Sequence, residues 1–122
     1  MFDVLKVITD RLDGTGYSVF FNEKNEETDY PFVIFNLPNS GEGTNIYRED
    51  FNLEVDIWTK DISQCITMTD AIKSLLNRYK YLDDKINASF YVINRFNNLP
   101  DEDKQIKRSQ LRIQVLIYTF NN

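Results

Sequence analysis

Residues 49–60, EDFNLEVDIWTK, constrain the fold of this chain more than any other stretch. Apolar side chains occupy every second position, and polar side chains or a tryptophan occupy the positions between them. Because successive side chains of a strand lie on opposite faces of a sheet, this period of two predicts a long strand. One face would pack on a core, and the other would face water or a partner. The apolar positions are Phe51, Leu53, Val55 and Ile57.

The other elements follow from similar patterns. Apolar residues at helical spacing predict helices over residues 2–12 and 63–79, the second with Ser63 as its N-cap. Runs of β-branched and aromatic residues predict strands over residues 17–21, 32–37, 88–97 and 106–120. Pro38 is expected to end the 32–37 strand, because proline has no N–H to donate to a ladder.

The resulting order, α-β-β-β-α-β-β, predicts the α+β class. We expect one domain over residues 1–122, with an antiparallel or mixed β-sheet of about five strands and two helices packed on one face. In the strand over residues 88–97, alternation groups Phe90, Val92, Asn94 and Phe96 on one side.

Apolar residues also occur on the nominally polar side of the predicted strands. They are Trp58, Tyr91, Leu116 and Tyr118. Such residues indicate that this side is covered, because aromatic side chains are favoured at interfaces. Two covers fit equally well: the chain's own helices, or another subunit.

Composition narrows the classes of function. The chain has 122 residues, 42% of them hydrophobic, which is enough for one packed core. Its net charge of -5 gives no electrostatic help toward nucleic acid or anionic membrane. There is no histidine, which excludes Ser-His-Asp catalysis and histidine metal sites, and a single cysteine, Cys65, fits a reducing compartment. No stretch approaches the roughly 20 apolar residues of a membrane helix.

No catalytic, cofactor or metal site is predicted. Glu54 and Asp56 share one side of a strand and could hold a divalent metal, as in a nuclease, but acidic pairs are more often solvated. A small basic cluster near the last strand favours ion pairing over contact with nucleic acid, given the acidic total. Its members are Lys104, Lys107, Arg108 and Arg112. The glycine-bearing segment over residues 39–47 is longer than a usual hairpin loop, which favours a functional loop.

The order of elements and several local patterns resemble one family. The helix leads to YPFVIFNLP, then to a glycine-bearing loop and REDFNLEVDIWTKD, then to a helix with TDAIKSLL, a PDED turn and the strand RSQLRIQVLIYTF. This arrangement is similar to the tail-terminator, or tail-completion, proteins of long-tailed bacteriophages. The similarity covers nearly the whole chain.

The resemblance implies a structural function without catalysis or cofactors. Such a protein forms a homo-oligomeric ring, expected to be a hexamer, that caps the tail tube, ends its polymerisation and joins the tail to the head connector. DNA would pass through the ring without specific binding, and the protein would lie at the head-proximal end of the virion tail after assembly in the host cytoplasm. A head-closure protein of the connector remains an alternative, as does a small metal-dependent nuclease.

The resemblance also implies that the segment over residues 41–48 contacts other subunits or the tube. Together with Trp58 and part of the basic cluster, it gives the expected interface. The residues are Gly41, Glu42, Gly43, Asn45, Ile46, Tyr47, Arg48, Trp58, Arg108 and Arg112.

Overall fold

The computed structural model describes residues 2–42 and 48–120, and within them the chain forms two helices and one mixed sheet of six strands. In chain order the elements are α1 (Phe2–Asp13), β1 (Val19–Phe21), β2 (Phe32–Glu42), β3 (Arg48–Thr59), α2 (Ile62–Leu76), β4 (Lys80–Leu82), β5 (Ile86–Phe96) and β6 (Lys107–Thr119). The strands lie in the order β1-β2-β3-β6-β5-β4. The α+β class is confirmed, whereas the predicted count of about five strands and the order α-β-β-β-α-β-β omit β4.

The middle of the sheet is formed by β3 and β6. They pair antiparallel from Arg48 opposite Tyr118 to Thr59 opposite Lys107, without a shift in register. Their alternating apolar side chains face the same way and are almost fully buried. These are Phe51, Leu53, Val55 and Ile57 of β3 with Leu111, Ile113, Val115 and Ile117 of β6. The period of two therefore predicted the core side of both strands correctly.

Both helices pack on this core side. Val4, Ile8 and Leu12 of α1 join one buried cluster with the strand residues, and so do three residues of α2. The α2 residues are Met68, Ile72 and Leu76. A buried hydrogen bond between the Thr69 and Ser109 hydroxyls also ties α2 to β6.

The ends of α2 differ from the prediction. Asp61, not Ser63, is the N-cap: its carboxylate accepts hydrogen bonds from the backbone N–H groups of Ser63 and Gln64. The helix ends at Leu76 rather than at residue 79, because Asn77 is already extended. The side-chain oxygen of Asn77 accepts a hydrogen bond from the Val92 N–H. The chain then enters β4, a strand too short to show a period in the sequence.

Pro38 does not end its strand, contrary to prediction. β2 continues to Glu42, and the register between β2 and β3 shifts between Asn36 and Asn39. This bulge leaves Pro38 out of the paired positions, so its missing N–H costs no ladder hydrogen bond. Residues 39–42, predicted to lie in a loop, therefore pair with β3.

A second bulge overturns the predicted side of Phe96. The register between β5 and β6 shifts between Val92 and Asn94, so one extra residue reverses the alternation beyond it. Arg95 then lies opposite buried Leu111 and forms an ion pair with Asp70 of α2. Phe96 lies opposite Gln110, on the side of the sheet away from Phe90.

The stability of the core can be tested on β6, where neighbouring residues face opposite sides. Ile113 is 1% exposed, so Ile113→Ala should lower the free energy of unfolding by about 2–5 kcal/mol through lost burial and a cavity. Gln114→Ala, on the other side, should change it by less than about 0.5 kcal/mol. Urea unfolding at one fixed protein concentration measures both. Equal losses for the two variants would contradict the assignment of faces.

Candidate interaction surface

The side of the sheet away from the helices, here called the second face, combines charged and aromatic residues in cross-strand pairs. Every second residue of β3 lies opposite a residue of β6 on this face. The pairs are Arg48–Tyr118, Asp50–Leu116, Asn52–Gln114, Glu54–Arg112, Asp56–Gln110 and Trp58–Arg108. The register extends the face to Ile34 and Phe32 of β2, and to Tyr91 and Phe96 of β5.

One end of the second face is a stack of rings with a cation at each end. The Lys60 ammonium lies 5.0 Å from the centre of the Tyr30 ring. Tyr30 contacts Phe32 at 5.0 Å between ring centres, and Phe32 stacks on Trp58 at 6.0 Å. The Arg108 guanidinium then lies 4.4 Å from the Trp58 ring centre. Each cation–ring contact contributes about 0.5–2 kcal/mol, which favours a fixed arrangement of these side chains.

Two N–H groups within this stack are buried without an acceptor among the described residues. They are the Trp58 Nε1–H and the Arg108 Nε–H. A buried donor without an acceptor costs about 1–3 kcal/mol, so ring stacking and burial must outweigh that cost here. Arg108 also lies 4.0 Å from the Asp101 carboxylate, a long ion pair.

The middle of the second face is a polar network across β3 and β6. Arg112 Nε donates to Gln110 Oε1 at 3.1 Å, and Gln110 Nε2 donates to Asp56 Oδ1 at 2.9 Å. The Arg112 guanidinium also lies 4.8 Å from the Phe96 ring centre and 3.9 Å from the Glu54 carboxylate. Burial raises the pKa of Asp56 above its usual range, although the Gln110 hydrogen bond and the charges of Arg108 and Arg112 oppose this.

The other end of the second face has an ion pair beside exposed apolar groups. Arg48 donates two hydrogen bonds to the Asp50 carboxylate, at 2.7 and 2.9 Å, and this pairing lowers the pKa of Asp50. Tyr118 lies opposite Arg48 on β6 and is 38% exposed. Leu82 of β4, in the same row, is 68% exposed, and Tyr91 is 38% exposed. Covering these apolar groups would be favourable, because it removes their surface from water.

Neither α1 nor α2 covers the second face, since both pack on the core side. Of the two covers that the sequence left open, the chain's own helices are thus ruled out as far as residues 2–42 and 48–120 are concerned. Within the same residues, no three or more carboxylate or thiol groups are arranged to hold a metal ion. Neither described helix is long and apolar enough to span a membrane.

The predicted interface residues divide into three groups. Arg48, Trp58, Arg108 and Arg112 all lie on the second face, which brings the two arginines of the basic cluster onto the same face as the tryptophan. The backbone of residues 41–42 pairs with β3 as part of β2. The remaining predicted residues, which lie outside the described part of the chain, are Gly43, Asn45, Ile46 and Tyr47.

Sequence reasoning missed several residues of this surface. The alternation places Phe96 on the same side as Phe90, because the bulge before Asn94 has no sequence signal. Phe32 pairs with Trp58 across β2 and β3, and Leu82 lies on the unpredicted β4. Only the strand register, set by contacts far apart in the sequence, places these residues on one face.

The pKa of Asp56 gives a pH-dependent prediction. A raised pKa means that the ionised carboxylate is destabilised by folding, so its contribution to stability falls as pH rises from the ordinary value toward the raised one. Asp56→Asn, which can keep the acceptor for Gln110, should therefore raise the free energy of unfolding at pH 7. The gain should shrink as the pH falls, because protonation of Asp56 removes the charge that folding disfavours. Urea unfolding of both proteins from pH 4 to 8 measures this, and a less stable variant at pH 7 would show that the arginine charges dominate.

No protein-family model matches the chain, and no curated protein matches it. The second face and the pattern of the sequence are the features that bear on the function of this chain.

Proposed function

We propose that this chain is a structural assembly protein of the tail-terminator type. Copies of it associate through the second face into a closed ring. The ring caps a phage tail tube, stops its polymerisation and presents a surface to the head connector. The proposal rests on the resemblance in the order and patterning of the elements, together with one structural observation.

That observation is the contrast between the two sides of the sheet. The core side of β3 and β6 is buried by α1 and α2, while no described helix packs on the other side, which exposes Leu82, Tyr91, Phe96 and Tyr118. A lone domain of this size rarely exposes several large apolar side chains on one sheet face. Association between copies would cover them, and aromatic residues among polar ones are typical of such interfaces.

The edges of the sheet also favour assembly. The outer strands β1 and β4 are only three residues long and pair with Val33–Phe35 of β2 and with residues 87–89 of β5. The second half of each longer strand therefore extends past its short neighbour in the described sheet. Exposed strand edges are ready sites for pairing with another chain.

Assembly can be tested directly with the purified chain. We expect sedimentation velocity to show a concentration-dependent shift from monomer to one larger species, with rings visible by electron microscopy. The chain should also shorten the tubes formed by a tail tube protein from the same genome. A monomer at all concentrations, with no effect on tube length, would contradict the proposal. Binding to portal-side proteins without binding to tube protein would favour a head-closure role instead.

Substitutions that charge the second face should weaken assembly. Tyr91→Lys combined with Leu82→Lys places two cations where exposed apolar groups would be covered. Aromatic interface residues often contribute 2 kcal/mol or more, so the dissociation constant should rise at least about tenfold. Unfolding of the monomer should change little, because both side chains are exposed.

The matched control is Ile66→Lys on α2, where the side chain is 49% exposed on the helical side of the domain. This variant should assemble like the wild type in the same sedimentation experiment. If it weakens assembly as much as the double variant does, the interface lies on the helices rather than on the second face.

A further inference from the structure

A groove of about 520 Å³ lies where the turn before β6 meets the start of α2. Its apolar lining comes from Ile62, Leu99, Pro100 and Ile106. Lys104, Lys107 and Arg108 line it as well, and Asp101 is the one acidic residue among the described residues that line it.

The positive groups of this groove are only partly neutralised. Arg108 approaches Asp101 at 4.0 Å, and Lys107 Nζ donates to the Lys104 carbonyl at 2.9 Å rather than to a carboxylate. Lys104 is exposed and has no ion-pair partner within the described residues. Glu102 and Asp103 are near in sequence but do not line the groove. In a chain with a net charge of -5, a cationic groove with an apolar floor is a local departure from the overall charge.

The loop over residues 22–30, here called the acidic loop, carries the charge opposite to that of the groove. Its four carboxylate residues are exposed, and no ion pair holds any of them within the described structure. They are Glu23, Glu26, Glu27 and Asp29. The one cation of the loop turns inward: Lys24 Nζ donates to the Thr28 carbonyl at 3.1 Å and lies 5.5 Å from the Phe32 ring centre.

The acidic loop is also held in shape by hydrogen bonds within the loop. The Thr28 N–H donates to the Asn25 carbonyl at 3.0 Å, and the Glu27 N–H donates to the Asn25 side chain at 3.1 Å. A segment that is ordered before binding loses less conformational entropy when it binds.

We propose that the groove receives the acidic loop of a second copy of the chain. This inference rests on the proposed assembly function and names a contact between neighbouring subunits. The loop leads into β2 and the groove borders β6, so the two lie on opposite sides of β3 in the sheet order. Phe32, Trp58 and Arg108 form one row across these strands, which places both at the same end of the sheet.

A contact between the loop of one copy and the groove of the next joins two different surfaces, so it is a head-to-tail contact. Such contacts form a ring when the rotation between neighbours closes, and each subunit then uses its loop and its groove once. Opposite charges at the contact would guide association and set its orientation.

A charge-exchange experiment tests the contact. Lys104→Glu with Lys107→Glu reverses the groove, and Glu26→Lys with Glu27→Lys reverses the loop. Each double variant should weaken self-association at least tenfold in sedimentation equilibrium at low ionic strength, and the quadruple variant should regain most of the wild-type affinity. Raising the salt from 50 to 500 mM should weaken the wild type, because exposed charges are screened. Circular dichroism and thermal unfolding check that every variant is folded.

The outcomes separate this inference from the proposed function. If the wild type associates and the variants associate equally well, the acidic loop does not occupy the groove, while assembly through the second face stands. If both double variants weaken association but the quadruple variant gains nothing back, the two surfaces do not meet, and the inference is overturned. A wild type that stays monomeric overturns both proposals.

Discussion

The pairing of β3 with β6 is the interaction on which the rest of this structure depends. It runs from Arg48–Tyr118 to Thr59–Lys107 without a bulge, so it fixes the side of the sheet on which every residue of both strands lies. A shift of β3 by one residue would move Leu53 to the outer side and Trp58 toward the core. The burial of the core residues therefore also holds the second face in its arrangement.

This coupling holds the second face in place although several of its groups lower the stability of the folded chain. The second face carries two buried donors without acceptors in the described part of the chain and a half-buried carboxylate, Asp56, whose pKa is raised by that burial. Each of these costs stability, and the closely packed core on the other side offsets them. Such a surface suits association, because aromatic and arginine side chains contribute most of the binding energy at protein interfaces.

The parts of the fold that follow from local pattern were predictable, and the parts that depend on register were not. The alternation in residues 49–60 predicted the core side of β3, and the same holds for β6. The bulges at Pro38 and before Asn94 were not predictable, because one extra residue leaves no pattern in the sequence. That residue nevertheless reverses the side of the sheet on which the following residues lie.

The same distinction between local pattern and strand register holds for the residues of the candidate surface. Trp58 and Arg108 were both expected to belong to it, but their contact arises from strands that are far apart in the sequence. Phe96 was placed on the wrong side, although it lies against Arg112. The N-cap of α2 shows a smaller error of the same origin, since Asp61 and Ser63 both suit a cap and only the backbone of Asp61 is extended in the required way.

The central claim is that the second face is covered by another copy of the chain. Hydroxyl-radical footprinting, read by mass spectrometry at rising protein concentration, tests it most directly. The account predicts that the oxidation rates of Tyr91, Phe96 and Tyr118 fall as the larger species forms, while that of Ile66 on α2 stays constant. Unchanged rates at the three aromatic residues in a fully assembled sample would contradict it.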